Sequence, residues 1–474
     1  MPLVGFKSRP SLSLNIAGKR LHLNFPDDFV HESHDLKPEV TISDSEIIFV
    51  GHGIVAPEYG WDDYKNVDVR GKTLIFLSGE PAIPDPKDQS KLDDSMFKGQ
   101  RRTLYSTRGY KYELAAQKGA SAVLVVHDPA KISTAFRVYQ TFAQLEGFKI
   151  KPSPTGSKSL GFEGLITLDA VQRLCAASGQ DFNSLTQSAL NKNFKPQSLK
   201  SAADFNIKST LREIETRNVV AKIEGSDRRL KNEYVVYTAH WDHLGRDEKL
   251  KGDQIHNGAA DNAGGTAQLL EVAEGFTKLK SPPKRSILFI ATTAEETGLL
   301  GAKYYCENPL YPLTQTLANI NIDAFNQFGR TGDVINSGKG LTTLDEIISI
   351  VATTQNRVYA PHPNPGGGSY FASDQFEFAK AGVPAIFPSN GLSLVGKSAD
   401  YGKQKDDEYF ERDYHQVSDE IKPDWDLSGA VEDAQLLLQV GFRVAQTEKF
   451  PEWKPDAEFK ARRDKMLKQK KSRD

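Results

Sequence analysis

Cysteine is nearly missing from this chain. Cys175 and Cys306 are its only two, which excludes a disulfide framework. Cys175 shares a helical face with Val171 in VQRLCAASG and reads as a core thiol. Long apolar runs are missing too. No window approaches the ~18 consecutive apolar residues of a membrane helix, and the opening MPLVGFKSRP lacks the apolar stretch of a signal peptide. Nor is there an excess of either charge: Lys+Arg number 60 against 62 Asp+Glu, so the electrostatic footprint of a nucleic-acid binder is absent. The one basic run, KARRDKMLKQKKSRD, reads as a solvated helix end. No internal repeat is apparent, and no feature fixes an oligomeric state.

At 474 residues, the chain is too long for a single ordinary core, taking about 150 residues per domain as a guide. Residues 1–42 hold a hairpin-like piece, SLSLNIAGKRLHLNF, too small to be a domain and expected to pack on the domain formed by residues 201–450. Residues 43–200 carry short apolar strands (EIIFVG, KTLIFLSG, SAVLVVHD, GLITL) between Gly/Pro-rich loops. One helix, YKYELAAQKGA, ends at Gly119, giving a compact α+β pattern. Over residues 201–450 strands alternate with helices. NVVAKIEG, YVVYTA, RSILFIATT, NINID and VPAIF are strand-like, whereas GGTAQLLEVAEGFTKLK, TTLDEIISIVATTQ and LSGAVEDAQLLLQVGFRVAQT have helical spacing. This rhythm predicts an α/β sandwich with a mostly parallel central sheet flanked by helices. Residues 451–474 are set apart as a basic C-terminal tail.

Open α/β sheets bind ligands beyond the carboxyl ends of their strands, and this chain loads those ends with acids and histidines. His240 and Asp242 follow YVVYTA, Glu295 and Glu296 follow SILFIATTA, and Asp323 closes NINID. Asp261 stands in HNGAADNAGG before a helix, and His415 in RDYHQVSDE. Each piece alone has an ordinary explanation: a hydrogen-bonded loop histidine, an acidic pair favoured by a helix dipole, an N-cap. Those explanations do not account for three successive strand ends and the intervening loop all carrying metal-type ligands.

Taken in order, TAHWDHLG, NGAADNAGG, TAEETGLLGAKYY, NINIDAF, SDQFEFAKAGVPAIF and YHQVSDE resemble the co-catalytic zinc exopeptidases of metallopeptidase family 28, over roughly residues 205–447. Upstream, FVGHGIVAPEYGWDDY through LAAQKGASAVLVVHD resembles the protease-associated domain that many members carry. The first resemblance implies a two-zinc site, with manganese or cobalt as other metals suited to such ligands. His240 and Asp323 would hold one ion, Glu296 and His415 the other, and Asp261 would bridge both. It further implies Glu295 as general base to a metal-bridging hydroxide, Asp242 as the residue orienting His240 through a hydrogen bond, and Tyr414 as donor to the tetrahedral oxyanion. Two divalent ions against Asp261, Glu296 and Asp323 leave one positive charge, which the hydroxide neutralises.

The implied activity is removal of residues from peptides, with an aminopeptidase as first choice. A carboxypeptidase of the glutamate type is the alternative, and a receptor-like binding protein or a one-zinc glutaminyl cyclase are further readings. His243 matches no ligand position of the family and is left outside the coordination set. The remaining histidines are read as surface or loop residues. NPGGGSYF, which no Lys-Ser/Thr follows, is read as shaping a pocket wall near Ser373 and Asp374. Members of this layout begin with an export signal and a helix ahead of the hairpin. Met1 stands within that arrangement, so either the start is displaced, which we favour and which implies a secreted or periplasmic enzyme, or the form is shortened and cytoplasmic.

Overall fold

The computed structural model describes residues 1–132, 134–152 and 159–471. It divides into two compact units, Pro2–Glu215 and a second containing Thr216–Asp474.

In the first unit β1 (Pro2–Ile16), β2 (Lys19–Leu23), β3 (Phe29–Ser33), β4 (Glu39–Phe49), β5 (Thr73–Leu77), β6 (Ala122–His127), β7 (Gly147–Ile150), β8 (Phe162–Thr167) and β9 (Gln197–Glu215) form one sheet. Its order is β2-β1-β9-β4-β5-β6-β8-β3, with β7 beside β1. β4, β5, β6 and β8 run parallel, and the outer strands are antiparallel. Side chains alternate across the central strands. Ile75, Leu77, Leu124 and Val126 point into one apolar cluster together with α2 (Leu168–Ala177). Leu74, Phe76, Val123 and Val125 point into another with α1 (Arg108–Gln117). Both faces are therefore covered, which is why these strands read as unbroken apolar runs. Thr107 and Thr167 cap the two helices, accepting the N–H of Tyr110 and Ala170. Cys175 is a buried free thiol in the first cluster.

Two expectations are corrected here. The amino-terminal hairpin is part of the first unit's own sheet: β1 pairs with β9 along its whole length, from Pro2 opposite Glu215 to Ile16 opposite Ser201. Residues 1–42 and 201–215 thus belong with residues 43–200. And four histidines read as surface or loop residues, His31, His34, His52 and His127, are buried, because they lie on the strands of this sheet or at their ends.

In the second unit the main sheet is built of β10 (Val219–Ile223), β11 (Tyr234–His240), β12 (Ser286–Thr292), β13 (Thr316–Asn321) and β14 (Ala385–Ile386), ordered β10-β12-β11-β13-β14. All neighbours are parallel except the edge strand β10. Helices α3 (Gly265–Thr277), α4 (Leu344–Thr354) and α5 (Ser428–Gln446) contribute Leu269, Val272, Ile348, Val351, Leu437 and Val440 to a core shared with Val235, Tyr237 and Phe289. The buried Tyr237 hydroxyl donates to the Leu437 carbonyl at 2.6 Å, satisfying the ring's polar end. The carboxyl-terminal segment is not a free tail. Trp453 is buried and donates from Nε1 to the Gly382 carbonyl, and Arg463 donates to the carbonyls of Leu313 and Thr316. Residues 472–474 of the basic run lie outside the described residues.

Candidate metal centre

The sheet register assembles the site. His240, the last residue of β11, lies beside Thr292, the last of β12, and Thr238 lies beside Asn321, the last of β13. The segments that follow, carrying Asp242, Glu295, Glu296 and Asp323, leave the sheet at one edge. Asp261 reaches the same edge from the loop ahead of α3, whose first turn is closed by Asn262 Oδ1 accepting the Gly265 N–H at 3.0 Å. His415 arrives from a later loop with φ at +61°, a conformation that a residue with a side chain adopts at a cost and that recurs at functional sites.

His240 is buried, and its Nδ1 lies 3.1 Å from the main-chain carbonyl of Asp242. A carbonyl only accepts, so Nδ1 carries the proton and Nε2 is turned toward the acids. That Nε2 is 3.0 Å from Asp323 Oδ1 and 3.2 Å from Asp261 Oδ1. Asp261 presents its other oxygen, Oδ2, 3.1 Å from His415 Nε2, which is also 3.2 Å from Glu296 Oε2. His415 Nε2 is nonetheless a buried atom with no well-formed hydrogen bond. The imidazole nitrogens and carboxylate oxygens of His240, Asp261, Asp323, Glu296 and His415 converge on one small region. His240, Asp261 and Asp323 offer ligand atoms within 4.8 Å of one another, so these residues fit a metal ion.

The electrostatics agree. Burial disfavours a charge on His240 and His415, yet the facing carboxylates prevail: His240 is raised well above its ordinary value by Asp323 and Asp261, and His415 is raised to about 9 by Asp261 and Glu296. Burial works against ionised Asp261 and Glu296 as well, but hydrogen bonds from the histidines hold both below their usual range. Without a cation, two imidazolium protons balance the acids; a metal ion supplies that charge and displaces them. Glu295 is different. Burial, with Asp323 next in weight, pushes it well above the carboxylate range.

The anticipated partner of His240 is altered in detail. It is the main chain of Asp242 that holds the ring, whereas the Asp242 carboxylate accepts the Glu295 N–H at 3.3 Å and thereby fixes the strand-end turn bearing both glutamates. Tyr414 stacks flat on His415, with ring centroids 3.8 Å apart and planes 20° from parallel. Ser373 and Asp374, which follow NPGGGSYF, lie in the interior. Both are buried, Asn321 Nδ2 donates to Ser373 Oγ at 2.7 Å, and Thr292 hydrogen-bonds Asp374.

Two residues of the site went unassigned in the sequence. Asp419 accepts the main-chain N–H groups of Ala260 (3.0 Å) and Asp261 (3.1 Å), setting the loop that carries the central carboxylate. Its only signal was its place in YHQVSDE. His243, set aside, lies in the cluster, with Nδ1 2.6 Å from Glu296 Oε1.

Comparison with known proteins bears on this arrangement. Peptidase family M28 matches residues 218–439. Aminopeptidase NAALADL1 of Mus musculus is 29% identical over 266 residues, 46% of this chain and 33% of that protein. A vacuolar membrane protease of Phaeosphaeria nodorum is 28% identical over 135 residues, 25% of this chain and 13% of that protein. The chain thus spans a third or less of these curated relatives. Among solved structures, an aminopeptidase from Aneurinibacillus sp. strain AM-1 superposes with a TM-score of 0.46 at 16% identity, covering 94% of this chain and 85% of the other. Residues 218–439, which carry the candidate metal centre, are thus similar to peptidase family M28 over just under half of the chain.

Proposed function

We propose that this protein is a di-zinc metallopeptidase that removes residues from the amino end of peptides. The observation that carries the reading is Asp261, whose two oxygens face two different histidines, His240 at 3.2 Å and His415 at 3.1 Å. One carboxylate between two donor groups is what a bridged pair of ions requires: His240 and Asp323 on one side, Glu296 and His415 on the other. Zinc ions held there would polarise the scissile carbonyl and acidify the attacking water.

The chain's own residues supply the rest. Glu295 ligates neither ion in this scheme, and its buried carboxylate has a high proton affinity. It takes a proton from the attacking water and delivers it to the leaving amide nitrogen. Tyr414, its ring fixed against His415, donates its hydroxyl proton in a hydrogen bond to the oxygen that becomes negative in the tetrahedral state. Asp242 anchors the turn that aims Glu295. The aminopeptidase name of the Mus musculus relative supports cleavage from the amino end. The upstream region, residues 43–200, is read as a protease-associated domain.

The test is mass spectrometry of one short peptide, offered free, N-acetylated and C-amidated to zinc-loaded protein. Stepwise loss from the amino end, blocked by acetylation alone, is the expected result. Blocking by amidation alone would make it a carboxypeptidase, and no cleavage with two ions bound would overturn the peptidase reading.

A further inference from the structure

His243 is the one histidine of the cluster whose distance to its carboxylate differs in kind. Atoms bound to the same tetrahedral zinc at about 2.1 Å stand about 3.4 Å from each other. The four contacts of His240 and His415 with Asp323, Asp261 and Glu296, at 3.0 to 3.2 Å, approach that spacing. His243 Nδ1 to Glu296 Oε1, at 2.6 Å, is far too close for two ligands of one ion and is the length of a short charge-assisted hydrogen bond. A carboxylate only accepts, so Nδ1–H is the donor.

Glu296 is therefore divided. Oε1 is engaged by His243, and Oε2 alone faces His415. The His243 ring is wedged in place: it meets the His415 ring nearly edge-on, with centroids 5.6 Å apart. A side chain at residue 258 would put its Cβ 2.7 Å from His243 Cγ, so Gly258 makes room for the ring as well as adopting φ of +60°. Nε2, at the far side of the ring, is buried and has no hydrogen-bond partner among the described residues, so the ring's one directed polar contact is with Glu296.

Resting on the two-metal reading above, we infer that His243 is a positioning residue: it makes Glu296 a one-oxygen ligand and so selects a small, four-coordinate ion at the His415 position. A larger ion with six to eight oxygen ligands draws on two-oxygen carboxylates, which an Oε1 already committed to hydrogen bonding disfavours. The effect is on metal choice and affinity at one of the two positions, not on the fold.

The experiment is competition between the protein and a zinc chelator, together with the visible spectrum of the cobalt-substituted protein. Wild type, His243→Ala and His243→Asn are compared; the Asn amide N–H stands near where Nδ1–H was. His243→Ala is expected to weaken the second zinc about 10- to 100-fold with the first unchanged, to narrow the preference for zinc over manganese, and to dim the cobalt bands as coordination rises above four. His243→Asn is expected to recover most of each change. Unaltered second-ion affinity in His243→Ala would overturn the inference while leaving the metal centre intact. An Asn variant as impaired as Ala would overturn it too, by making His243 a ligand. Wild type that binds fewer than two ions would overturn the two-metal reading itself, and the inference with it.

Discussion

Asp419 accepts the main-chain N–H of Asp261 at 3.1 Å from a buried position. The central carboxylate of the site is thus positioned by a second carboxylate that holds its main chain. Asp419→Ala would leave the Ala260 and Asp261 N–H groups buried without partners, costing about 2–3 kcal/mol. Urea unfolding should show that loss, and chelator competition should show weaker metal binding. Asp419→Asn, which keeps an acceptor oxygen, should restore part of both.

Glu295→Gln removes a base and no ligand. It should keep the wild-type metal content by elemental analysis while turnover falls about 10²–10⁴-fold. Near-normal turnover would transfer the role of base to another group.

Metal removal should be felt as lost stability. Asp261, Glu296, Asp323 and Glu295 crowd one edge of the sheet, and ions that bind only the folded state stabilise it by about 2.7 kcal/mol at a hundredfold excess over Kd. Chelation should lower the melting temperature of the Thr216–Asp474 unit, and zinc should restore it. Zinc added near pH 7 should also release protons, since apo His240 and His415 are held protonated. Calorimetry in buffers of different ionisation heat counts them.

A separate pH dependence belongs to the first unit. Burial, then each neighbouring positive charge, lowers His31 to about 3 and His34 to about 4. Between those values and the ordinary 6.5 the unfolded chain binds protons that the folded one does not, so stability falls as pH drops from about 6.5 toward 4. His31→Phe should flatten that fall, read as the pH slope of the urea midpoint for residues 2–215. An unchanged slope would remove the histidine pair as its source.

The legible and illegible parts of this chain divide along a physical line. His240, Asp242, Glu295, Glu296 and Asp323 could be singled out because each stands at or just beyond the end of an apolar run that is itself a strand, and parallel strands bring their carboxyl ends together. The hairpin could be read as strands, but not its partner: β1 pairs with β9 some two hundred residues away, and alternation says which face is buried without saying against what. The docking of residues 451–463 rests on Trp453, Phe459 and Arg463, three residues scattered through a polar, charged stretch whose burial no periodicity announces. His243 could be set outside the coordination set but not given its contact with Glu296, because sequence shows which residue types gather but not whether a nitrogen lies at ligand or hydrogen-bond distance. Asp419 looked like one more acid in a charged loop; its work is done on main-chain N–H groups, which have no signature in sequence.

The most direct measurement is anomalous X-ray diffraction at the zinc edge from crystals of the zinc-loaded protein. The account predicts two peaks roughly 3.5–4 Å apart, on either side of Asp261, one against His240 and Asp323 and the other against Glu296 and His415. A single peak, or two that do not share Asp261, would contradict it.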